Sequence, residues 1–433
     1  MIREALTEAL DNERLEVIDG DKASAQKPDA QDQNSPMDAL EAFCRTDEQQ
    51  VLVRNYVVQA WLAKDLLPEG KLVYNRHFGI ADPNAIMFVE AGDVSNFQSG
   101  SRRPEPLILR ARAGECIRLT LENKIQPAHH ADGSGYPETW SYNMVPPITP
   151  GLSFNQVRTS HRVGLHPQLV DYNLQASDGA YVGLNSDSTV GPGERRTYLW
   201  YAGEIVANKK GDRIVGIPHE FGAIPLQDMG DVIKHASHGA IGALVIEPQC
   251  SKWTETVAQT KAEVEVVHWR PEQAMGRHGK LMKRLVCPEM EPTPESGLQY
   301  RFKEMVLLYQ DNLSVQQYGQ PLPNLRNGDD SEDSGQKAFN YRTEPLWARL
   351  GATAADEPET MNHFDWSNVL SSTVSHFRCE ADFSRGRYCD PETPIFTAKA
   401  GEQVRLRIED IFDPGSGDPL PPAGPPSRVR ESD

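Results

Sequence analysis

One phrase of strand and turn residues occurs twice in this chain and restricts the fold more than any other feature. The first copy is "ARAGECIRLTLEN", residues 111–123, and the second is "TAKAGEQVRLRIED", residues 397–410. Both contain Ala-Gly-Glu-x-Ile/Val-Arg-Leu, and apolar and polar residues then alternate as in a half-buried strand. A turn and strand that recur in the same order indicate a duplicated β-domain.

Short β-rich runs separated by Gly, Pro, Asn and Asp fill the chain from residue 50 onward. The first set includes "VLVRNYVVQAWLA", "AIMFVEAGD" and "GAIGALVIEP", and the second includes "AEVEVVHW" and "LQYRFKEMVLLYQD". Spaced strands of this kind are typical of β-sandwiches and barrels. We therefore predict an all-β protein with a flexible acidic lead-in (1–49), two domains (50–251 and 252–410) and a Pro/Gly-rich tail (411–433).

The charge balance excludes one class of partner. The chain has 44 basic and 62 acidic residues, a net charge of −18, which argues against nucleic acid as a partner. No apolar run is long enough to span a bilayer. The N-terminal residues have no signal-peptide core, so we expect either a cytoplasmic protein or an internal piece of a longer exported chain.

The six cysteines are scattered and form no CxxC motif, so a zinc site or a thioredoxin-like site has no support. Cys379 and Cys389 bracket "EADFSRGRY" and could close a short loop in an oxidising compartment. Free thiols are the alternative.

At the repeated phrase and several other stretches the sequence resembles the multicopper oxidase family, and large bacterial copper oxidases most of all. The stretches are "VGLHPQLVDYNLQASDGAYVGLN", "VGPGERRTYLWYAGE", "SHGAIGALVIEP" and "AFNYRTEPLWARL". The resemblance implies two cupredoxin-like Greek-key β-sandwiches, the second of them incomplete. It also implies oxidation of an unknown substrate coupled to dioxygen reduction at copper.

The copper ligands of that family match this chain only in part. Its three-copper cluster is held by His-x-His pairs, and two such residues on one strand face the same side. His166 matches the first histidine of the first pair, but Gln168 stands in place of the second. The second pair falls on Gln227 and Met229. No His-x-His occurs in the chain, and no cysteine has an adjacent histidine that would mark a thiolate copper ligand.

His235 and His238, in "KHASHG", are the other two candidate metal ligands. On a strand they would face opposite sides, whereas on a helical turn they could converge. A copper site with His166 is one interpretation of this pair. The other is structural, with one histidine bonded to loop backbone and the other solvated. Asp178, in the glycine-rich "QASDGAYVG", is expected to cap its own turn and lies near the metal edge by resemblance.

Two functions follow as expectations. The first is a copper-binding oxidoreductase of multicopper oxidase type in which this chain lacks the full copper set, so that copper binding is weak or partial and involves His166, His235 and His238. The alternative is a non-catalytic cupredoxin-like module with a structural or binding role. Both agree with the fold, and metal analysis of the copper-loaded chain would distinguish them.

Overall fold

The computed structural model describes the greater part of the predicted strands. The described residues are 40–41, 43–44, 52–76, 78–126, 159–181, 183, 185–207, 214–232, 234–255, 259–267, 270–275, 281–286, 298–311, 313–321, 337–343 and 396–411. Strands dominate them, which confirms the all-β class. Cys379, Cys389 and nearly all of the predicted tail lie outside the described residues.

The described strands of the first half are β1 (Val53–Leu62), β2 (Leu72–Asn75), β3 (Ile80–Asp82), β4 (Ile86–Glu90), β5 (Leu107–Arg112), β6 (Cys116–Asn123), β7 (Leu165–Pro167), β8 (Asp171–Tyr172), β9 (Arg195–Tyr201), β10 (Gly203–Ala207), β11 (Ile214–Pro218), β12 (Gly222–Asp228) and β13 (Ile241–Glu247). Those of the second half are β14 (Ser251–Glu255), β15 (Lys261–Val267), β16 (Arg270–Met275), β17 (Leu281–Val286), β18 (Leu298–Gln310), β19 (Gln316–Gln317), β20 (Gln320–Pro321), β21 (Ala338–Phe339) and β22 (Val404–Ile411). The short helices are α1 (Ala63–Leu66), α2 (Val94–Gln98) and the 3-10 turns Ala91–Asp93 and Ala236–His238.

Two sheets of the first half pack face to face as a sandwich. One has the strand order β4-β1-β6-β9-β8 and the other β5-β13-β12-β7. Each sheet contains one parallel pair, β1 with β6 and β5 with β13. Alternation in β6 turns Ile117, Leu119 and Leu121 into the core between the sheets. Burial of these side chains drives the two layers together.

Strand β13 has a core on each of its faces. Leu244 and Ile246 point into the sandwich core, whereas Ile241, Ala243 and Val245 belong to a second core. An unbroken apolar run such as "IGALVIE" is what a strand buried on both faces requires. The second core also takes side chains from β18 and β21, so apolar packing joins residues on both sides of the predicted boundary at 251/252.

The second half contributes a sheet of order β14-β15-β18-β21, with β22 parallel to β18. It also contributes the β19–β20 hairpin, which continues a sheet begun in the first half. Gln316 pairs with Ala81 there, giving the strand order β2-β3-β19-β20. The two halves therefore share a sheet as well as a core.

The two copies of the Ala-Gly-Glu turn have the same hydrogen bonds. In the first copy the Glu115 N–H donates to the Arg112 carbonyl at 3.0 Å, and the Arg112 N–H donates to the Glu115 carboxylate at 3.0 Å. In the second copy Glu402 and Lys399 make the same pair of bonds at 3.1 and 2.6 Å. Gly114 and Gly401 have φ values of 89° and 88°, which favour glycine. The repetition extends from sequence to backbone geometry.

The strands after the two turns differ in what covers them. Val404, Leu406 and Ile408 of β22 occupy the positions of Ile117, Leu119 and Leu121 in β6. The β22 residues are 43%, 52% and 59% exposed, whereas the β6 residues are fully buried. Nothing in the described part of the second half covers this face as β5-β13-β12-β7 covers β6.

A disulfide ties residues before β1 to the first sandwich. Cys44 is bonded to Cys116 at the start of β6, and Phe43 packs edge-on against Tyr201 with ring centroids 5.3 Å apart. Leu40, Phe43 and Cys44 are buried, although they belong to the segment predicted as a lead-in. Within the described residues, the helices are all too short or too polar to cross a membrane.

Candidate functional site

His166 lies on β7, the strand at one edge of the β5-β13-β12-β7 sheet. The register of β7 with β12 places His166 directly opposite Gln227. Residues directly opposite each other share a face. Met229 follows the end of β12, and its N–H donates to the Gly164 carbonyl at 3.1 Å. The inner-facing residues of β12, such as Leu226, are buried, whereas Gln227 is half-buried. Two of the positions aligned with the family's ligand pairs, His166 and Gln227, are thus cross-strand neighbours.

The hydrogen bond of His166 fixes its tautomer. Its Nδ1–H donates to the backbone carbonyl of Asp178 at 2.7 Å, because a carbonyl can only accept. In the neutral ring the lone pair is then on Nε2, and no described residue donates to that nitrogen. The ring is half-buried and meets Tyr172 edge-on at 5.8 Å between centroids. An imidazole held through one nitrogen, with the other open, is the usual arrangement of a metal-binding histidine.

A tightly packed loop supplies the carbonyl that holds His166. The Asp178 carboxylate accepts from the Ala180 N–H at 3.0 Å, from Asn185 at 2.9 Å and from the Ser188 hydroxyl. Gly179 has φ 71°, and a Cβ there would lie 2.2 Å from the Leu165 carbonyl oxygen. Only glycine lets the loop approach β7 so closely. Asp178 caps its own turn as predicted, and its backbone also orients His166.

His235 is a buried cation with a dedicated counter-ion. Its Nε2–H donates to the Ser160 carbonyl at 2.8 Å, and Nδ1 lies 2.8 Å from Oδ2 of Asp228. Burial by itself would lower the pKa of His235, but the charge and hydrogen bond of Asp228 outweigh it and raise the pKa to about 9. Both ring nitrogens have hydrogens engaged in hydrogen bonds, so this ring has no lone pair to offer a metal.

Asp228 organises the end of β12 around that histidine. Its other oxygen, Oδ1, accepts from the Gly164 N–H at 2.9 Å and the Gly230 N–H at 2.7 Å. One carboxylate thus joins β7, the turn after β12 and the His235 ring. A buried charge with several donors is stabilised where an unpaired one would be costly.

His238 pairs with a different carboxylate. The 3-10 turn Ala236–His238 places it three residues after His235, and its Nδ1–H donates to Oδ2 of Asp82 at 2.7 Å. The His238 side chain is 1% exposed, so it is buried and not solvated. The two histidines of "KHASHG" do lie on a helical turn, but they bind separate aspartates.

The three predicted ligands do not form a metal centre with one another. In the described part of the chain, no group of three or more His, Cys, Asp or Glu side chains is placed to hold a metal ion. A full copper set therefore does not fit these residues. Cys44, Cys116 and Cys250, the cysteines within the described ranges, are disulfide-bonded, so none of them offers a thiolate. Metal binding by His166, His235 and His238 stays a prediction.

Sequence reasoning missed Asp228 and Asp82, the partners of the two buried histidines. Asp228 stands seven residues before His235, in the stretch where the family's second ligand pair is expected, and that proximity was the available signal. Asp82 is 156 residues from His238, and nothing in the local sequence connects them.

Comparison with solved structures finds copper proteins. A multicopper oxidase from Pseudomonas thermotolerans is 13% identical, covering 68% of this chain and 43% of that protein, with a TM-score of 0.32. A second multicopper oxidase is 12% identical over 67% of this chain and 54% of its own length, with a TM-score of 0.29. A laccase from Pediococcus acidilactici is 10% identical over 70% and 40%, with a TM-score of 0.30.

The chain spans 43% and 54% of the lengths of those two oxidases. At these scores the resemblance is distant and concerns the fold alone. No family profile and no curated protein matches the sequence.

Proposed function

We propose that this chain is a cupredoxin-type protein of multicopper oxidase kind with an incomplete copper set, which binds copper weakly at His166. The observation that supports this is the open Nε2 of His166, on the face that it shares with Gln227. Imidazole suits both copper oxidation states, and a thioether favours cuprous ion, whereas an amide oxygen is a poor copper ligand. In intact relatives bound copper oxidises a substrate and reduces dioxygen.

The residues of this chain limit what such a site can do. An electron-entry site of the family type needs a thiolate, and the cysteines of the described residues are in disulfides. Both ring nitrogens of His235 are engaged in hydrogen bonds, so metal binding there would require the ring to give up a proton and one of these bonds. We therefore propose that this chain alone binds copper but does not oxidise a substrate.

The experiment is copper loading of the purified chain, followed by dialysis and metal analysis. We expect at most about one weakly held copper per chain, lost on His166→Ala, with no intense blue absorption band. His219→Ala is the matched control, because the His219 side chain is 43% exposed and the residue precedes the far end of β12 from Gln227. Three or four tightly held coppers with an intense visible band would overturn the proposal.

A second function rests on the two buried histidine–aspartate pairs. His235–Asp228 and His238–Asp82 are buried and serve the packing of the fold, and Asp228 stands between the aligned ligand positions Gln227 and Met229. They favour a non-catalytic structural or binding module. Copper content near zero, unchanged by His166→Ala, would support this alternative against the first.

A further inference from the structure

A buried group of charges lies where the two halves of the chain meet. Arg110 of β5 is fully buried, and its Nη1 contacts Oε1 of Glu247 at 2.7 Å and Oε2 of Glu304. Its Nη2 donates to the Gln259 carbonyl at 3.1 Å. Glu247 lies on β13 of the first sandwich and Glu304 on β18 of the second half. One guanidinium therefore connects the first sandwich to the second half.

Other charged groups face the same cluster. Arg407 of β22 donates from Nε to Oε1 of Glu304 at 2.9 Å. Glu255 of β14 lies 3.5 Å from Nε of Arg110 and is one-third exposed. Glu90 of β4 accepts from the Gln259 side chain at 2.5 Å. The Tyr56 hydroxyl of β1 donates to the Arg110 carbonyl.

We propose that Glu247 and Glu304 hold a single proton between them, and that this carboxyl pair is a pH-sensitive joint between the first sandwich and the sheet of β18 and β22. Two oxygens on one guanidinium nitrogen bring two buried carboxyl groups close together, and both cannot ionise there without strong repulsion. With a proton on Glu247, Arg110 and Arg407 balance Glu304 and Glu255.

The surroundings of the two carboxyl groups differ, and the difference places the shared proton on Glu247. Burial and the neighbouring Glu304 raise the pKa of Glu247 to about 8. Burial also opposes the charge on Glu304, but Arg110, Glu247 and Arg407 together lower its pKa below the usual value. Glu304 forms ion pairs with two arginines, Arg110 and Arg407. Oε2 of Glu247 receives no hydrogen bond within the described residues, and a protonated Glu247 can donate to Glu304.

The direction of the pH effect follows from proton binding. The folded chain keeps a proton on Glu247 up to about pH 8, whereas the unfolded chain releases it near pH 4.5. The stability from this group is fully present below that lower pH and is lost as the pH rises through about 8. The joint therefore weakens on the alkaline side of neutrality.

The test compares wild type with Glu247→Gln, which is neutral at every pH and close in shape to the protonated acid. Urea unfolding of both is followed from pH 5 to pH 9. Relative to the variant, the wild-type unfolding constant should rise up to about tenfold per pH unit until about pH 8. His235 is present in both proteins, so its contribution cancels. Parallel pH curves would overturn the proposal.

A second readout locates the effect. At pH 9 the amides of β18 and β22 should exchange hydrogen faster in wild type than in Glu247→Gln, while those of β6 and β9 exchange alike. Equal exchange of β18 in the two proteins at that pH would show that the pair does not act as a joint.

A third readout needs no Glu247 variant. Wild type should show the infrared carbonyl band of a protonated carboxyl group at pH 7.5, lost by pH 9. Burial raises the pKa values of Glu90 and Glu409 to about 7 as well, so Glu90→Gln and Glu409→Gln are measured alongside, and both should keep the band. Absence of the band at pH 7.5 would overturn the proposal even if Glu247→Gln failed to fold.

Discussion

His166 and Gln227 face each other across the antiparallel pair of β7 and β12. His166 has an imidazole with an open nitrogen, and Gln227 has a side-chain amide. Under the copper proposal, the side chain opposite His166 determines how tightly this edge binds copper, and that side chain can be changed.

Replacing Gln227 by histidine should strengthen copper binding. A second imidazole on the same face makes the second bond intramolecular, so we expect affinity to rise about 100-fold. Equilibrium dialysis against copper measures it. Thr120→His, which adds an imidazole to the other sheet, is the control and should have little effect. Equal affinities for the two variants would show that cross-strand placement does not create the site.

The His235–Asp228 pair should make the protein less stable as the pH rises. The pKa of His235 is about 9 in the folded chain and 6.5 as its ordinary value. Its stabilisation, up to about 3 kcal/mol, is therefore complete below pH 6.5 and lost toward pH 9. Urea unfolding of His235→Asn should show a flatter pH profile than wild type. His219→Asn, at a half-buried position, should keep the wild-type slope.

Gly179 should be far less replaceable than Gly183 in the same loop. Both have positive φ, 71° and 93°, so alanine at either costs about 1 kcal/mol of backbone strain. A Cβ at Gly179 also meets the Leu165 carbonyl oxygen, whereas nothing lies within 4 Å of one at Gly183. Gly179→Ala should lower the free energy of unfolding clearly more and weaken any copper binding at His166. Equal losses from the two substitutions would mean that the loop shifts freely away from β7.

The two glutamates of the repeated turn should differ in how much they contribute to the free energy of unfolding. Glu115 is buried and accepts from Arg54 at 2.7 and 3.0 Å, whereas Glu402 is exposed. We expect Glu115→Ala to lower the free energy of unfolding by about 3 kcal/mol, because it leaves buried donors unpaired, whereas Glu402→Ala should leave it almost unchanged. Thermal and urea unfolding measure both. A similar loss of unfolding free energy at the two turns would mean that burial does not determine how much the turn glutamate stabilises the fold.

The disulfide between Cys44 and Cys116 should stabilise the sandwich. Its cysteines are 72 residues apart, and the double substitution Cys44→Ser, Cys116→Ala should lower the free energy of unfolding by about 2–4 kcal/mol. Phe43→Ala, which keeps the bond, tests how much of the loss comes from packing on Tyr201. No change in the double variant would contradict a stabilising role.

The parts of the fold that the sequence predicted have local signals. Alternation in "CIRLTLEN" predicted a half-buried strand, and β6 has that burial pattern. The glycine in each Ala-Gly-Glu turn is needed where φ is near 90°. His166 and Gln227 were matched to ligand positions by resemblance, and strand pairing brings those two together.

What the sequence did not predict depends on contacts between distant residues. The partner of Cys44 could not be deduced, because six cysteines allow many pairings. The short strands β3 and β19 pair through Ala81 and Gln316, which are far apart in the sequence, and neither strand carries a motif that indicates this pairing. The ion pairs of Arg110 join three strands and follow from tertiary packing alone.

The bond between Cys44 and Cys116 closes the chain between them into a covalent ring that contains β1 through β5. A protease that cuts once inside this ring, for instance at the exposed Glu69 beside the Gly70 turn, opens the backbone but releases no fragment. On a gel the nicked molecule keeps its mass until a reductant is added, and only then does it separate into two pieces.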